Sequence, residues 1–259
     1  MINKFDSKTR EALFEYILQL ADDNLIFGHR LSEWCGHAPI LEEDVALANI
    51  ALDCIGQASA FYSLAAELDG QGKNEDDFAF FRNENQFKNL LLAEQPNIDF
   101  AYTIARQFFY DAFAIYFYNE LSKSHFEPLA GIATKAVKEI NYHLRHCKTW
   151  MLRLGDGTDE SNCRLQKAVD DLWMFTSEMF LNNYNDEILL NQKLIPDASP
   201  LFDEWFELVS NTFSEAKIKV PDRNAYQIKG GRKGFHTEHL GHLLAEMQIV
   251  ARSFPKAKW

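Results

Sequence analysis

The sequence predicts an all-α fold, and three observations carry the prediction. Apolar residues recur at helical spacing along most of the chain, as at Leu13, Ile17, Leu20, Leu25 and Leu31. No stretch sustains the strict alternation of a half-buried strand. Gly and Pro number only 12 and 7 in 259 residues, too few for a chain built on many tight turns. A count of 21 Phe adds that wide helix–helix interfaces have to be filled.

The first helix is predicted over 8–34, with Ser7 as N-cap, and Cys35-Gly36-His37-Ala38-Pro39 stops it. The second covers 41–69, where Ala and other small residues permit close helix approach. The turn between them is short, so they should be antiparallel neighbours. Residues 70–98 form a long connection with one helical stretch near 78–94, ending at Pro96. The third helix, 99–124, is so aromatic that it must be largely covered, and the fourth, 126–154, is closed by Gly155-Asp156-Gly157. Two antiparallel hairpins joined by one long crossover make a ferritin-like helical bundle. Three more helices are predicted over 160–183, 198–216 and 237–254. The expectation is one ferritin-like domain over 1–259, with a core bundle at 8–154 and C-terminal helices at 160–254.

The net charge of −12 repels a phosphate backbone and speaks against nucleic-acid binding. The four cysteines form no Cys-x-x-Cys pair, and Cys54 and Cys147 fall in apolar helical patterns, as buried thiols of a reducing compartment do. The N-terminal stretch lacks the apolar core of a signal peptide, and no apolar run approaches the roughly 18 residues that cross a bilayer. A cytoplasmic protein with no membrane partner is expected.

The chemistry to be tested lies in KAVKEINYHLRH, residues 135–146. A carboxylate-bridged di-metal centre in a bundle takes a lone Glu from each of two helices and a Glu-x-x-His from each of the other two. Acids do occur mid-helix: Asp22 and Asp23, Asp53, Asp111 and Glu139. Asp23 to Asp53 spans 30 residues and Asp111 to Glu139 spans 28, so the two hairpins are laid out alike. The imidazoles are missing, however. Gly56 stands three residues after Asp53, Tyr142 stands three after Glu139, and His143 comes one position late. The positions Asp23, Asp53, Asp111, Glu139 and His143 therefore read as a vestigial site, with the acids expected to pair with Arg30, Arg106, Arg145 or nearby Lys.

Other stretches carry weaker signals. His236-Thr237-Glu238-His239 puts two His around an acid, but it also opens a helix with Thr237 as N-cap. Gly230-Gly231-Arg232-Lys233-Gly234 lacks the Lys-Ser/Thr ending of a phosphate loop. Two polar stretches hold amides beside an aromatic ring: Arg82–Lys88, with Asn85, Gln86 and Phe87, and Asn182–Asp186, with Tyr184 and Asn185. Each reads either as a nucleotide-like ligand contact or as a solvent-facing helix end.

Four blocks carry a family resemblance: LSEWCGHAPILEEDVALANIALDCIGQA at 31–58, NLLLAEQPNIDFAYTIARQF at 89–108, KAVKEINYHLRH, and KGGRKGFHTEHLGHLLAEMQ at 229–248. They resemble the structural C subunit of bacterial phenylacetyl-CoA oxygenase, the ring 1,2-phenylacetyl-CoA epoxidase. The resemblance implies a ferritin-like, cytoplasmic, non-catalytic and metal-free chain in a stable complex with a related di-iron A subunit and other oxygenase subunits. It further implies that the complex epoxidises the ring of phenylacetyl-CoA with O2, using NADPH through a reductase. It gives a reason to regard Arg82–Lys88 and Asn182–Asp186 as a wall for the CoA ester at an interface. Two other classes stay open at this point: a ferritin-like oxidase with a variant site of Asp53, Asp111, Glu139 and His143, and a free-standing helical binding protein.

Overall fold

The computed structural model of the chain describes residues 5–183, 186–255 and 257. The elements are α1 (Ser7–Ser32), α2 (Leu41–Asp69), α3 (Glu75–Phe80), α4 (Phe100–Leu121), α5 (Glu127–Gly155), α6 (Asp159–Trp173), α7 (Asp186–Asn191), α8 (Leu201–Glu215) and α9 (Glu238–Ser253). Short 3-10 turns occur at Glu84–Gln86, Ser177–Phe180 and Gly231–Lys233. No strand occurs among the described residues, and the fold is the all-α, ferritin-like bundle.

The first hairpin packs α1 along the whole of α2. Its register is antiparallel: Asp22 meets Tyr62, while Gly28 lies against Ala51, Cys54 and Ile55. Gly28 matters here, because a Cβ at that position would collide with Ile55 and force the helices apart. α2 ends where expected, at Asp69, because Gly70 takes the left-handed conformation at φ 66° and bonds back to Ala66. The second hairpin joins α4 to α5, and α6 and α8 cover it. α4 is buried without interruption from Ala101 to Ala114. It meets α1 mainly through long side chains, with the Phe27 and Tyr110 rings stacked at 4.2 Å and Asn24 Nδ2 donating to Tyr118 Oη at 2.9 Å. The aromatic content of α4 thus fills the space between hairpins.

Several expectations need correction. Asp6, not Ser7, caps α1, its carboxylate accepting from Thr9 N at 2.7 Å. The stretch 78–94 is helical only to Phe80 and in the 3-10 turn Glu84–Gln86; residues 87–95 are a buried, irregular strap. α6 stops at Trp173, ten residues short of the expected end. Thr237 has N-cap backbone geometry, yet its hydroxyl makes no cap bond. α2 is by length and composition apolar enough to cross a bilayer, with mean hydropathy 1.2 over 18 residues, where the sequence reading found no such run. Its inner face packs on α1, as in any core helix.

Candidate functional site

The five positions of the supposed metal site do not come together. They separate into two groups with opposite electrostatic solutions.

The first group lies on α1. Asp22 accepts from Tyr62 Oη at 2.6 Å, from Arg82 Nη1 at 3.0 Å, from Arg82 Nη2 and from the backbone N–H of Lys88 at 2.7 Å. Asp23 takes both arms of Arg232, at 2.9 and 2.6 Å, and the N–H of Leu90 at 2.8 Å. Planar guanidinium against carboxylate is the strongest geometry such a pair can adopt. Burial still lifts Asp23 to about 6, against the pull of Arg232. The buried acids therefore pair with Arg82 and Arg232, not with Arg30, Arg106 or Arg145. Arg30 donates to Glu33 and to the carbonyls of Glu94 and His239. Arg106 donates to the Gln95 carbonyl and to Asn97 Oδ1 at 2.7 Å. With no carboxylate beside it, burial and the nearby Arg30 bring Arg106 down to about 9.

Two further buried acids complete the seam around the 87–95 strap. Glu178 accepts from the N–H groups of Leu91, Gly230 and Arg232. Glu94 accepts from Asn89, from Thr237 N at 2.6 Å and from His236 Nδ1 at 2.9 Å. Burial opposes a charge on His236, but the bond to Glu94 outweighs it and raises the imidazole above its ordinary 6.5. The basic Gly-rich loop is thereby accounted for. Arg232 points inward to Asp23, and the carbonyls of Asn89 and Asn85 lie where Cβ atoms on Gly231 and Gly234 would sit.

The second group sits between α2, α4 and α5. His143 Nε2 lies 3.0 Å from half-buried Asp53, and Gln57 Nε2 donates to Glu139 at 2.8 Å. His146 Nε2 meets Glu43 at 2.7 Å on the same seam. Asp111 accepts from Gln107 at 2.8 Å through Oδ1, while its buried Oδ2 and Gln107 Oε1 find no partner. Burial is the main reason that Asp111 rises to about 7, with His143 acting against it. Burial and the adjacent Asp111 push the thiols of Cys54 and Cys147 well above their usual range.

These residues do not fit a di-metal centre. The ligand from α1 is held by Arg232, the acid of α4 is poised to keep its proton, and Gln57 occupies a lone pair of Glu139. Among the described residues, no three of His, Cys, Asp and Glu are arranged to hold a metal ion. Tyr142, three residues after Glu139, is 42% exposed.

The polar stretches are mostly engaged from within. Arg82 and Phe87 are buried, the guanidinium lying 4.1 Å above the Phe87 ring. Gln86 caps Asn83 N at 2.8 Å, Asn85 is exposed and Lys88 is half-buried. Asp186 is buried at the start of α7, accepts from Asn183 N at 2.6 Å and is raised by burial. Tyr184 and Asn185 lie outside the described residues. The partners that the sequence reading missed are Arg232, Glu94, Glu178, Gln57 and Gln107. Of these, Gln107, one helical turn before Asp111, and Gln57, one turn after Asp53, carried a readable signal on the same helix face.

Known proteins place this architecture. A family model described as phenylacetic acid catabolic protein matches residues 2–259. The chain is 49% identical over 247 residues to the C subunit of the 1,2-phenylacetyl-CoA epoxidase of Escherichia coli (strain K12), covering 95% of this chain and 99% of that protein. With the match running through both hairpins and the appended helices, the chain belongs to the phenylacetic acid catabolic protein family.

Proposed function

We propose that this chain, folded as one domain, is the non-catalytic structural subunit of a cytoplasmic ring 1,2-phenylacetyl-CoA epoxidase in phenylacetate catabolism. In this reading it pairs with a catalytic A subunit that holds the di-iron centre. Other oxygenase subunits and an NADPH-fed reductase complete the assembly, and this chain binds no metal of its own. The observation that carries the reading is near-full-length identity of 49% to a protein named as the C subunit of such an epoxidase. The engagement of Asp23 by Arg232 and of Glu139 by Gln57 supports it, since a ligand already held by a protein donor competes poorly for a metal. Any CoA-ester contact made by this chain is assigned to Asn85, Gln86 and Lys88, because Arg82, Phe87 and Asp186 are engaged inside the fold.

The test is co-expression with the catalytic subunit, separation of the two chains, and elemental analysis of each. Iron should follow the partner, and phenylacetyl-CoA-dependent O2 consumption should need both chains. Iron retained by this chain through mild chelation would defeat the reading in favour of a variant-site oxidase. So would O2 consumption by the isolated chain that is lost on Glu139→Ala and His143→Ala.

A further inference from the structure

His236 is a buried side chain whose hydrogen bonds fix its charge. The side chain is 1% exposed, and both ring nitrogens face acceptors. Nδ1 lies 2.9 Å from Glu94 Oε2, and Nε2 lies 3.0 Å from the Phe87 carbonyl oxygen. A carbonyl only accepts, so Nε2 carries a hydrogen. Glu94 Oε2 also accepts from Asn89 Nδ2 at 3.0 Å, and Oε1 accepts from Thr237 N at 2.6 Å. With both oxygens engaged as acceptors, Glu94 takes a hydrogen from Nδ1 as well. A neutral imidazole has one N–H and satisfies only one of these contacts, whereas the imidazolium satisfies both.

The same ring anchors a loop. Residues 230–237 are tied down at two points. At the first, the N–H groups of Gly230 and Arg232 go to Glu178, and the Arg232 guanidinium is held by Asp23. At the second, His236 and Thr237 grip the 87–95 strap through Glu94 and the Phe87 carbonyl. Between the two points Lys233 and Phe235 are exposed, and Gly234 packs against the Asn85 carbonyl and Lys88 Nζ. The second point carries a cost of its own. Thr237 has N-cap backbone geometry, yet its buried hydroxyl has no partner while its N–H goes to Glu94. Release from Glu94 would let that hydroxyl turn to the free N–H groups of the first turn of α9.

We propose that His236 is a proton-dependent clasp: as the imidazolium it locks residues 233–237 onto the strap, and on losing a proton it lets them swing away from Glu94 and Phe87. The charged surroundings come from every neighbouring element. Glu94 of the strap and Glu84 of the first 3-10 turn draw the imidazole above its ordinary 6.5, against the effect of burial. From α1, Arg30 reaches the carbonyls of Glu94 and His239. Asp23, Arg232 and Glu178 neutralise one another in part at the first anchor. Lys88 and Lys233 flank Gly234, and Glu238 and His239 follow at the start of α9. A raised histidine stabilises the closed form fully below 6.5, and that contribution is lost as pH rises through the folded value. The clasp therefore opens toward alkaline pH.

The test uses the full chain. Side-chain proton–nitrogen correlation spectra at about pH 6 should show both ring nitrogens of His236 protonated. Amide exchange, corrected for the intrinsic effect of pH, should lose about tenfold in protection at Phe235 and Thr237 per pH unit above the transition. The amides of Gly230 and Arg232, held by Glu178, should keep theirs. His236→Gln retains an N–H for the Phe87 carbonyl and cannot titrate, so its exchange should show no such step. Thermal melts check that it folds; if it does not, Glu94→Gln decides, and should move the step to lower pH. A bare ring nitrogen on His236 at about pH 6, with the proton on Glu94, overturns the clasp. So does protection at Thr237 that stays constant to about pH 9, or that falls alike in His236→Gln. A step unmoved in Glu94→Gln, or one shared by Gly230 and Arg232, overturns it as well.

Discussion

The buried acids of α1 and the acids between α2, α4 and α5 lie in one bundle, and the protein treats them in different ways. Asp22 and Asp23 are each held by a guanidinium, because Arg82 and Arg232 arrive from distant segments with matched geometry. Asp111 has no guanidinium partner and burial raises it to about 7, while Asp53 and Glu139 are partly exposed and meet His143, Gln57 and, at 3.7 Å, Lys135. Burying a carboxylate therefore has two workable solutions in one bundle, a guanidinium or a proton. Which one applies depends on whether a loop can deliver an arginine.

The largest expected effect breaks the first solution. Arg82→Ala or Arg232→Ala leaves a buried carboxylate unpaired and should cost about 3–5 kcal/mol in urea unfolding. Pairing Arg232→Met with Asp23→Asn should recover most of that loss, because the charge goes with its partner. The second solution responds in the other direction. Asp111→Asn removes a buried group that resists ionisation, and its amide can donate to the orphaned Gln107 Oε1. It should gain on the order of 2 kcal/mol at pH 8 and little at pH 4.

The pH profile sharpens the same contrast. Between its ordinary 3.8 and about 7, folded Asp111 keeps a proton that the unfolded chain has released, so stability falls as pH rises through this window. Asp23 acts likewise between 3.8 and about 6. His236, raised above 6.5 by Glu94, stabilises at lower pH and loses that contribution as pH rises through its folded value. All three have one sign, so chemical denaturation should show declining stability from pH 4 to beyond pH 7, with a shallower slope in Asp111→Asn. The smallest effect is expected at Asp53→Asn. That carboxylate is half-buried, and loss of its contact with His143 should cost less than about 1 kcal/mol.

The sequence made the bundle legible where helices end on local chemistry. The bounds of α2 are set by Gly70, and those of α4 and α5 fall within three residues of their expected ends. It misled at 78–94 for a reason visible in the strap. Leu90, Leu91 and Leu92 are buried as a core helix would have them. Yet the N–H groups of Lys88, Leu90 and Leu91 go to Asp22, Asp23 and Glu178 instead of to carbonyls four residues back. Carboxylates on other elements have replaced the helix ladder, and no local propensity encodes that. The same cause hid the partners of Asp22 and Asp23: Arg82 lies 60 residues along the chain from Asp22, and Arg232 lies 209 from Asp23. What was readable at the site was the absence of Glu-x-x-His spacing, since Gly56 and Tyr142 are local facts.

That separation of 209 residues between Asp23 and Arg232 bears on how the protein is made. During synthesis α1 leaves the ribosome early, but the cation that satisfies its central acid is translated near the end. Until then Asp23 must stay wet or protonated, and α1 cannot settle fully against the 87–95 strap. Such a long-range closure is slow to form. It makes completion of the α1 seam a late event in translation, so that a nascent chain lacking the 230–237 loop is left open where the finished protein is sealed.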